Sequence, residues 1–245
     1  MFEFFHPDAR VRRLSQIQGE ANFLAGRHSR TYEFFRVVRI ALEFIRGFRV
    51  MHFTPPGITV FGSARFKETH PVYAQGVTIG RRLAEQGFCV ITGGGPGVME
   101  AANRGAHEAG GRSIGLNIVL PHEQSANRFC DTVVTFYYFF IRKVMLIKYS
   151  YAYIILPGGF GTLDEMSEAL TLIQTGKLYD FPVILVGSDY WKGFLDWLKE
   201  TLLKEGTIKE SDLDYLTIVD DPEEAIQKVC EVAKALALPL KRPKP

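Results

Sequence analysis

From residue 57 onward, short apolar runs alternate with stretches whose apolar residues recur at helical spacing. The dipeptide Pro55-Pro56 marks a linker before the first run, and several runs end in glycine. Such alternation is typical of βα units, which build a parallel sheet covered by helices. We therefore predict an α/β fold, a Rossmann-like parallel sheet with helices on both faces, together with an N-terminal helical extension.

The boundaries of these elements follow from the apolar runs and the turn residues between them. The predicted strands are Ile58–Gly62, Phe88–Thr92, Ser113–Ile118, Tyr153–Leu156, Pro182–Val186 and Leu216–Val219. The predicted helices are Val72–Gln86, Gly97–Ala109, Phe139–Tyr149, Thr162–Thr175, Tyr190–Lys204 and Pro222–Leu236. Proline suits a first helical turn, as at the last of these helices.

The first 50 residues differ from the rest, with nine arginines, eight phenylalanines and no lysine. Apolar residues between Phe34 and Phe48 recur at three- and four-residue steps, which predicts an amphipathic helix. Such a helix either packs on the main domain or a second subunit, or lies on a membrane surface. Pairing of Glu43 with Arg39 and Arg46 would favour the first interpretation.

This difference in composition predicts three segments. They are an N-terminal helical extension at 1–54, a Rossmann-like nucleotide-binding catalytic domain at 55–236 and a flexible tail at 237–245.

Charge and cysteine content limit the function classes. The 29 basic and 27 acidic residues leave a net charge of +2, so no overall field selects a nucleic acid or a membrane as partner. Three widely spaced cysteines suggest neither disulfides nor a thiolate metal site, and the six histidines form no ligand motif. We expect a cytoplasmic protein that uses neither a metal nor a cofactor.

Two glycine-containing turns follow the first two predicted strands. Gly62, Ser63 and Arg65 end the first strand, where they either form an ordinary turn or hold an anion. Gly93–Gly97, with Gly94 and Gly95 at its centre, allows close approach of a ligand or is a turn needed for packing. It lacks the third glycine of the dinucleotide fingerprint, which disfavours an NAD-dependent dehydrogenase.

A third turn, Pro157–Thr162, carries the strongest signal. Gly158, Gly159 and Gly161 precede a predicted helix start at Thr162, an arrangement whose N–H groups form a phosphate-binding nest. Glu165 lies one helical turn further on. Its carboxylate either faces the group attached to the phosphate or caps the helix by accepting the Thr162 N–H.

The helix before this strand contains Arg142 and Lys143, preceded by aromatic residues. Such a pair either neutralises a phosphate while the rings stack on a base, or is a solvated surface pair.

Taken together, the segment Gly93–Asn103, the pair Arg142-Lys143 and the segment Pro157–Glu165 resemble the Lonely Guy (LOG) family of cytokinin riboside 5'-monophosphate phosphoribohydrolases. The resemblance covers about residues 57–230. Members have often been labelled lysine decarboxylases, but no pyridoxal-phosphate lysine site is identifiable in this sequence.

The resemblance implies hydrolysis of the N-glycosidic bond of an N6-modified adenosine or other nucleoside 5'-monophosphate, as in an AMP nucleosidase. It identifies Arg142 and Glu165 as the catalytic pair and implies a homo-oligomer, a dimer or a trimer of dimers. The residues expected to bind substrate are Gly62, Ser63, Arg65, Gly94, Gly95, Glu123, Lys143, Gly158, Gly159, Gly161, Thr162 and Thr171. The alternative is a non-catalytic nucleotide carrier on the same fold.

Overall fold

The computed structural model describes residues 20–120 and 125–240. Within them, seven parallel strands form one sheet in the order β4-β3-β2-β1-β5-β6-β7. The strands are β1 Gly57–Phe61, β2 Cys89–Thr92, β3 Ser113–Ile118, β4 Thr132–Phe136, β5 Ser150–Ile155, β6 Val183–Val186 and β7 Leu216–Val219. The predicted Rossmann-like α/β class is confirmed.

Helices occupy the segments between most strands. They are α1 Glu20–Phe23, α2 Arg30–Met51, α3 Pro71–Glu85, α4 Val98–Glu108, α5 Phe139–Lys148, α6 Phe160–Gln174, α7 Ser188–Trp197, α8 Glu210–Leu213 and α9 Pro222–Ala235. The sequence predicted one regular helix through residue 204, whereas α7 continues from Leu198 to Leu203 as a π-helix. A periodicity of 3.6 residues carries no signature of such a widened turn.

Two hydrophobic layers cover the two faces of the sheet. One joins Ile91 and Leu116 to residues of α5 and α6, such as Met145 and Met166. The other joins Ile58 to residues of α3, α4 and α9. All five residues of β1 are buried, which agrees with a central strand packed on both sides.

Strand β4 was missed by the sequence analysis. It forms the edge of the sheet beside β3, and its burial alternates because Val134 and Phe136 face the core while Val133 is exposed. No helical periodicity separates it from β3 in the sequence. A prediction based on alternating strands and helices therefore did not include β4.

Helix α2 packs one side against the main domain. Ile40 and Phe44 contact the core, and Gly47 lies so close to Met145 that an added Cβ would approach its Cε to 2.8 Å. The predicted pairing of Glu43 with Arg39 and Arg46 is wrong. The Glu43 carboxylate instead accepts a hydrogen bond from the backbone N–H of Tyr137.

The opposite side of α2 is exposed and also apolar. Its large exposed side chains are Phe34, Phe35, Val38, Leu42 and Ile45. In the part of the chain that the structure describes, no helix is both long and apolar enough to cross a membrane. At the other end of the chain, Leu238 and Leu240 of the predicted tail pack against the core, and residues 241–245 lie outside the described residues.

Candidate active site

The strand order creates a crevice between β1 and β5. The chain moves outward from β1 through β2, β3 and β4 and then returns to β5 on the other side of β1. In open parallel sheets, ligands bind at this reversal, beyond the carboxyl ends of the strands. The loops that follow β1 and β5 meet here, because the Ser63 N–H donates to the Pro157 carbonyl at 3.0 Å.

A cavity of about 840 Å³ opens at this point. Several candidates from the sequence lie along its wall: Gly62, Ser63, Arg65, Arg142, Gly158, Gly159, Gly161, Thr162 and Glu165. The residues come from the β1 loop, the β5 turn, α5 and α6. Segments far apart in sequence thus converge on one volume that is large enough for a nucleotide-sized ligand.

The glycine turn leads directly into helix α6. A Cβ at Gly158 would lie 2.1 Å from Thr162 Oγ1, so packing requires glycine there. A Cβ at Gly159 or Gly161 would meet no atom within 4 Å, so packing does not explain either glycine. Both line the cavity, where they leave room for a ligand at the N-terminal end of α6, a position that favours an anion.

Arg142 and Glu165 form a pair inside the cavity. Arg142 Nη2 donates to Glu165 Oε1 at 3.3 Å, and the two side chains are 16% and 3% exposed. Arg142 Nε and Glu165 Oε2 are buried without a hydrogen-bond partner among the described residues. Unpartnered buried polar atoms are costly, and both are suited to a ligand that supplies the complementary groups.

The environment shifts the protonation of Glu165. Burial raises its pKa to about 7, although the charges of Arg142 and Lys143 lower it. The capping-box interpretation of Glu165 is wrong, since the Thr162 N–H donates to the Gly159 carbonyl at 3.0 Å. A buried carboxyl group that titrates near neutral pH is typical of catalytic acids and bases.

The N-terminal extension holds the start of the helix that carries Arg142. The Glu20 carboxylate accepts from the Phe139 N–H at 3.0 Å and 3.2 Å, and Glu43 accepts from the Tyr137 N–H. The Arg142 guanidinium lies 5.0 Å from the centre of the Phe139 ring. The first turn of α5 and the residue Tyr137 just before it are therefore held by carboxylates of α1 and α2.

Lys143 does not line the cavity. Its Nζ pairs with Asp164 at 2.9 Å and with Glu168 at 3.0 Å, and its side chain is 16% exposed. It is therefore not the solvated surface cation that the sequence left as an alternative. Its ion pairs join α5 to α6 beside the Arg142 contact.

Three other candidates also lie outside the cavity wall. Gly94 is buried, and its N–H donates to Thr92 Oγ1 at 2.9 Å. The Gly95 carbonyl accepts from Asn127, and Thr171 donates to the Ser167 carbonyl within α6. The remaining candidate, Glu123, lies outside the described residues.

Sequence reasoning missed other residues of the cavity. Tyr190 at the start of α7 lines it, as do the side chains of Phe61, Met99 and Leu146. Phe160, between two glycines of the turn, is 92% exposed. Tyr190 approaches the site only through the order of the strands, so no local pattern marked it. Phe61 directly precedes Gly62, Met99 lies inside the segment Gly93–Asn103, and Leu146 lies one helical turn after Arg142, so these three are close to residues that the sequence did mark. Phe160 stands inside the glycine motif and was visible in the sequence.

The fold and the cavity define a Rossmann-like α/β protein with a nucleotide-sized cavity that combines a glycine turn at a helix N-terminus with a buried guanidinium–carboxylate pair. A family profile described as "Possible lysine decarboxylase" matches residues 99–229. The chain belongs to this family, the LOG family.

Curated relatives in this family carry the name cytokinin riboside 5'-monophosphate phosphoribohydrolase. The protein of that name from Mycobacterium marinum is 30% identical over 65% of this chain and 86% of its own length. A probable member from Oryza sativa is 28% identical over 72% of this chain and 77% of its own length.

The fold is also present in solved structures of other proteins. The X-ray structure of the structural-genomics target TM1055 has a TM-score of 0.56 and 26% identity, and it covers 72% of this chain and 99% of its own. The molybdenum cofactor carrier protein from Chlamydomonas reinhardtii has a TM-score of 0.53 and 25% identity, with coverage of 74% and 99%.

Proposed function

We propose that the protein hydrolyses the N-glycosidic bond of nucleoside 5'-monophosphates, among them N6-modified adenosine monophosphates, to a free base and ribose 5-phosphate. The observation that carries this proposal is the buried contact between Arg142 and Glu165 beside an anion-binding glycine turn. The names of the relatives support the same reaction.

The geometry suits the charges that develop in this reaction. As the bond from C1' to the base breaks, positive charge develops on the sugar and negative charge on the departing base. The Glu165 carboxylate stabilises the sugar cation and orients water, while Arg142 supports the leaving base. Water supplies a hydroxyl group to C1' and a proton to the base nitrogen, so the reaction balances without another reactant.

The glycine turn provides the fixed point for the substrate. With the 5'-phosphate at Gly159 and Gly161, the ribose extends toward Glu165, which lies one helical turn beyond Thr162 in α6. Gly62, Ser63 and Arg65 form the facing wall. We assign Lys143 an indirect part, holding α5 against α6 through Asp164 and Glu168.

A direct test is to incubate the protein with isopentenyl-AMP, AMP, GMP and CMP and to separate the products by chromatography. Release of free base together with ribose 5-phosphate is expected, and the relative rates rank the bases. Binding of the nucleotides without release of base would contradict hydrolysis.

That outcome would favour a second function, a non-catalytic nucleotide carrier. The likeness to the molybdenum cofactor carrier protein favours this alternative. A carrier needs the phosphate-binding turn, but it has no need for both Arg142 and Glu165 at the same cavity. Hydrolysis therefore accounts for more of the site.

The pH dependence is expected to follow the ionisation of Glu165. Because the pKa of the buried carboxyl is raised to about 7, the fraction ionised increases as the pH rises through this value. If the carboxylate is the active form, kcat/KM for AMP should rise with pH and level off above roughly pH 8. A fall in kcat/KM above neutral pH would instead assign Glu165 as a proton donor.

The protein is also proposed to form homo-oligomers, a dimer or a trimer of dimers, with the outer side of α2 contributing an interface. Leu42 and Ile45 are 61% and 52% exposed on this side, and an apolar stripe of this kind is usually covered. The double substitution Leu42→Glu with Ile45→Glu is expected to lower the mass measured by light scattering. An unchanged mass would exclude this side of α2 from the assembly.

The remaining assignments are likewise proposals. We assign residues 1–54 to a helical extension, 55–236 to the catalytic domain and 237–245 to a tail, in a cytoplasmic protein. We also propose that Gly94, Gly95, Glu123 and Thr171 interact with the substrate, which only the family resemblance supports.

A further inference from the structure

Tyr190 contacts the glycine turn from a separate helix. It lies in the first turn of α7, and its hydroxyl donates to the carbonyl oxygen of Gly158 at 2.8 Å. Its ring packs edge-on against Trp191, with 5.0 Å between ring centres, and Trp191 is buried in the core. The position of the Tyr190 hydroxyl is therefore fixed by the packing of its ring against a buried residue.

The start of α7 is itself held by hydrogen bonds to the end of β7. Asp220 accepts from the N–H of Ser188 at 2.7 Å and from its hydroxyl at 2.9 Å. The N–H of Gly187 donates to the Val219 carbonyl at 2.9 Å. These contacts fix the first turn of α7, and with it the position from which Tyr190 reaches the glycine turn.

The bond to Gly158 determines the direction of a second group. A trans peptide unit is planar. The Gly158 carbonyl and the Gly159 N–H therefore lie in one plane and point in opposite directions. Both flanking residues are glycines, whose backbone torsions are the least restricted. A contact on the carbonyl therefore selects one orientation of the N–H out of several that the chain allows.

We infer that Tyr190 is a positioning residue for the substrate phosphate: its hydroxyl holds the Gly158–Gly159 peptide so that the Gly159 N–H donates to the phosphate. This inference rests on the proposed function, because it takes the glycine turn as the phosphate site. Gly159 lines the cavity, and no atom lies within 4 Å of the position that a Cβ would take there, so a phosphate has room beside this peptide.

The substitution Tyr190→Phe removes the hydroxyl and keeps the ring. Loss of one oriented donor to a phosphate is expected to weaken AMP binding by roughly tenfold. Adenosine, which has the same base and ribose but no phosphate, should bind the variant as it binds the unaltered protein. In turnover assays, KM for AMP should rise by a similar factor while kcat changes little.

The matched control is Tyr179→Phe. Tyr179 is 77% exposed and lines a separate pocket with residues such as Asp214 and Tyr215. Because active protein would consume AMP, isothermal titration with AMP and with adenosine is carried out on the Glu165→Gln forms of both variants and of the unaltered protein. The control should bind both ligands unchanged, and adenosine binding by Tyr190→Phe shows that its site is intact.

The outcomes separate this inference from the proposed function. Unchanged AMP affinity in Tyr190→Phe, or an equal loss for AMP and adenosine, overturns the role of Tyr190 and leaves hydrolysis standing. Tight AMP binding that weakens only in Tyr190→Phe, without release of base by any form, overturns hydrolysis and supports the positioning role. Failure of the unaltered protein to bind AMP overturns both.

Discussion

Substitution of Glu165 by Gln is expected to lower kcat/KM for AMP hydrolysis by about a thousandfold or more. Glutamine preserves the size of the side chain and can still accept a hydrogen bond from Arg142, but it carries no negative charge. The sugar cation then loses its counter-charge. Quantifying free base over time for the variant and the unaltered protein measures the effect.

Glu168→Gln is the matched control. Glu168 lies on the same helix, is 31% exposed and pairs with Lys143, and it is outside the cavity wall. Its substitution should leave most of the activity, because Lys143 keeps its ion pair with Asp164 and Arg142 keeps its contact with Glu165. Near-normal release of base by Glu165→Gln, or an equal loss in both variants, would remove Glu165 from its assigned role.

Stability measurements distinguish a catalytic loss from a folding defect. The raised pKa of Glu165 means that the folded protein keeps a proton that the unfolded chain releases between about pH 4.5 and pH 7. The contribution of this group to stability is therefore present below that window and is lost as the pH rises through it. Because glutamine does not ionise, the melting temperature of Glu165→Gln at pH 8 should equal or exceed that of the unaltered protein.

Substitution of Gly158 by Ala is expected to have the second large effect. The new methyl group would lie 2.1 Å from Thr162 Oγ1 and 2.7 Å from Thr162 Cβ, and the latter atom is fixed by the helix backbone. The turn must move, which displaces the N–H groups that we propose bind the phosphate and costs roughly 1–3 kcal/mol of stability. The melting temperature should fall, and kcat/KM for AMP should fall by about a hundredfold.

Gly161→Ala provides the contrast within the same turn. No atom lies within 4 Å of its added Cβ, so the melting temperature should stay unchanged. The methyl group would occupy space that we assign to the ligand, and the affinity for AMP should fall. Equal melting temperatures for the Gly158 and Gly161 variants would contradict the steric argument.

Local patterns in the sequence predicted most of the fold, and the family motifs singled out two residues that the structure places in contact. Six strands were predicted because each is an apolar run between turn residues, and Arg142 and Glu165 were identified from the family motifs. The cavity brings these two residues together, although 23 positions separate them in sequence.

No local pattern in the sequence predicted the order of the strands. This order brings the remaining residues to the cavity. Tyr190 reaches Gly158 only because β6 lies next to β5, so that the loop after β6 ends beside the glycine turn. Strand β4 was missed for a related reason, since its partner strand is recognised only in the assembled sheet. Similarly, the partners of Lys143 depend on how α5 packs against α6.

Glu20 binds the Phe139 N–H in the first turn of α5, and Glu43 binds the Tyr137 N–H just before this helix. These contacts matter when members of the family are compared or engineered. In this protein, the start of the helix that carries Arg142 is held by Glu20 and Glu43, which lie 119 and 94 residues before their partners Phe139 and Tyr137. Trimming the chain so that residues 20–43 are lost would remove both of these carboxylates. Activity measured on shortened forms therefore reports a site whose arginine has lost part of its support.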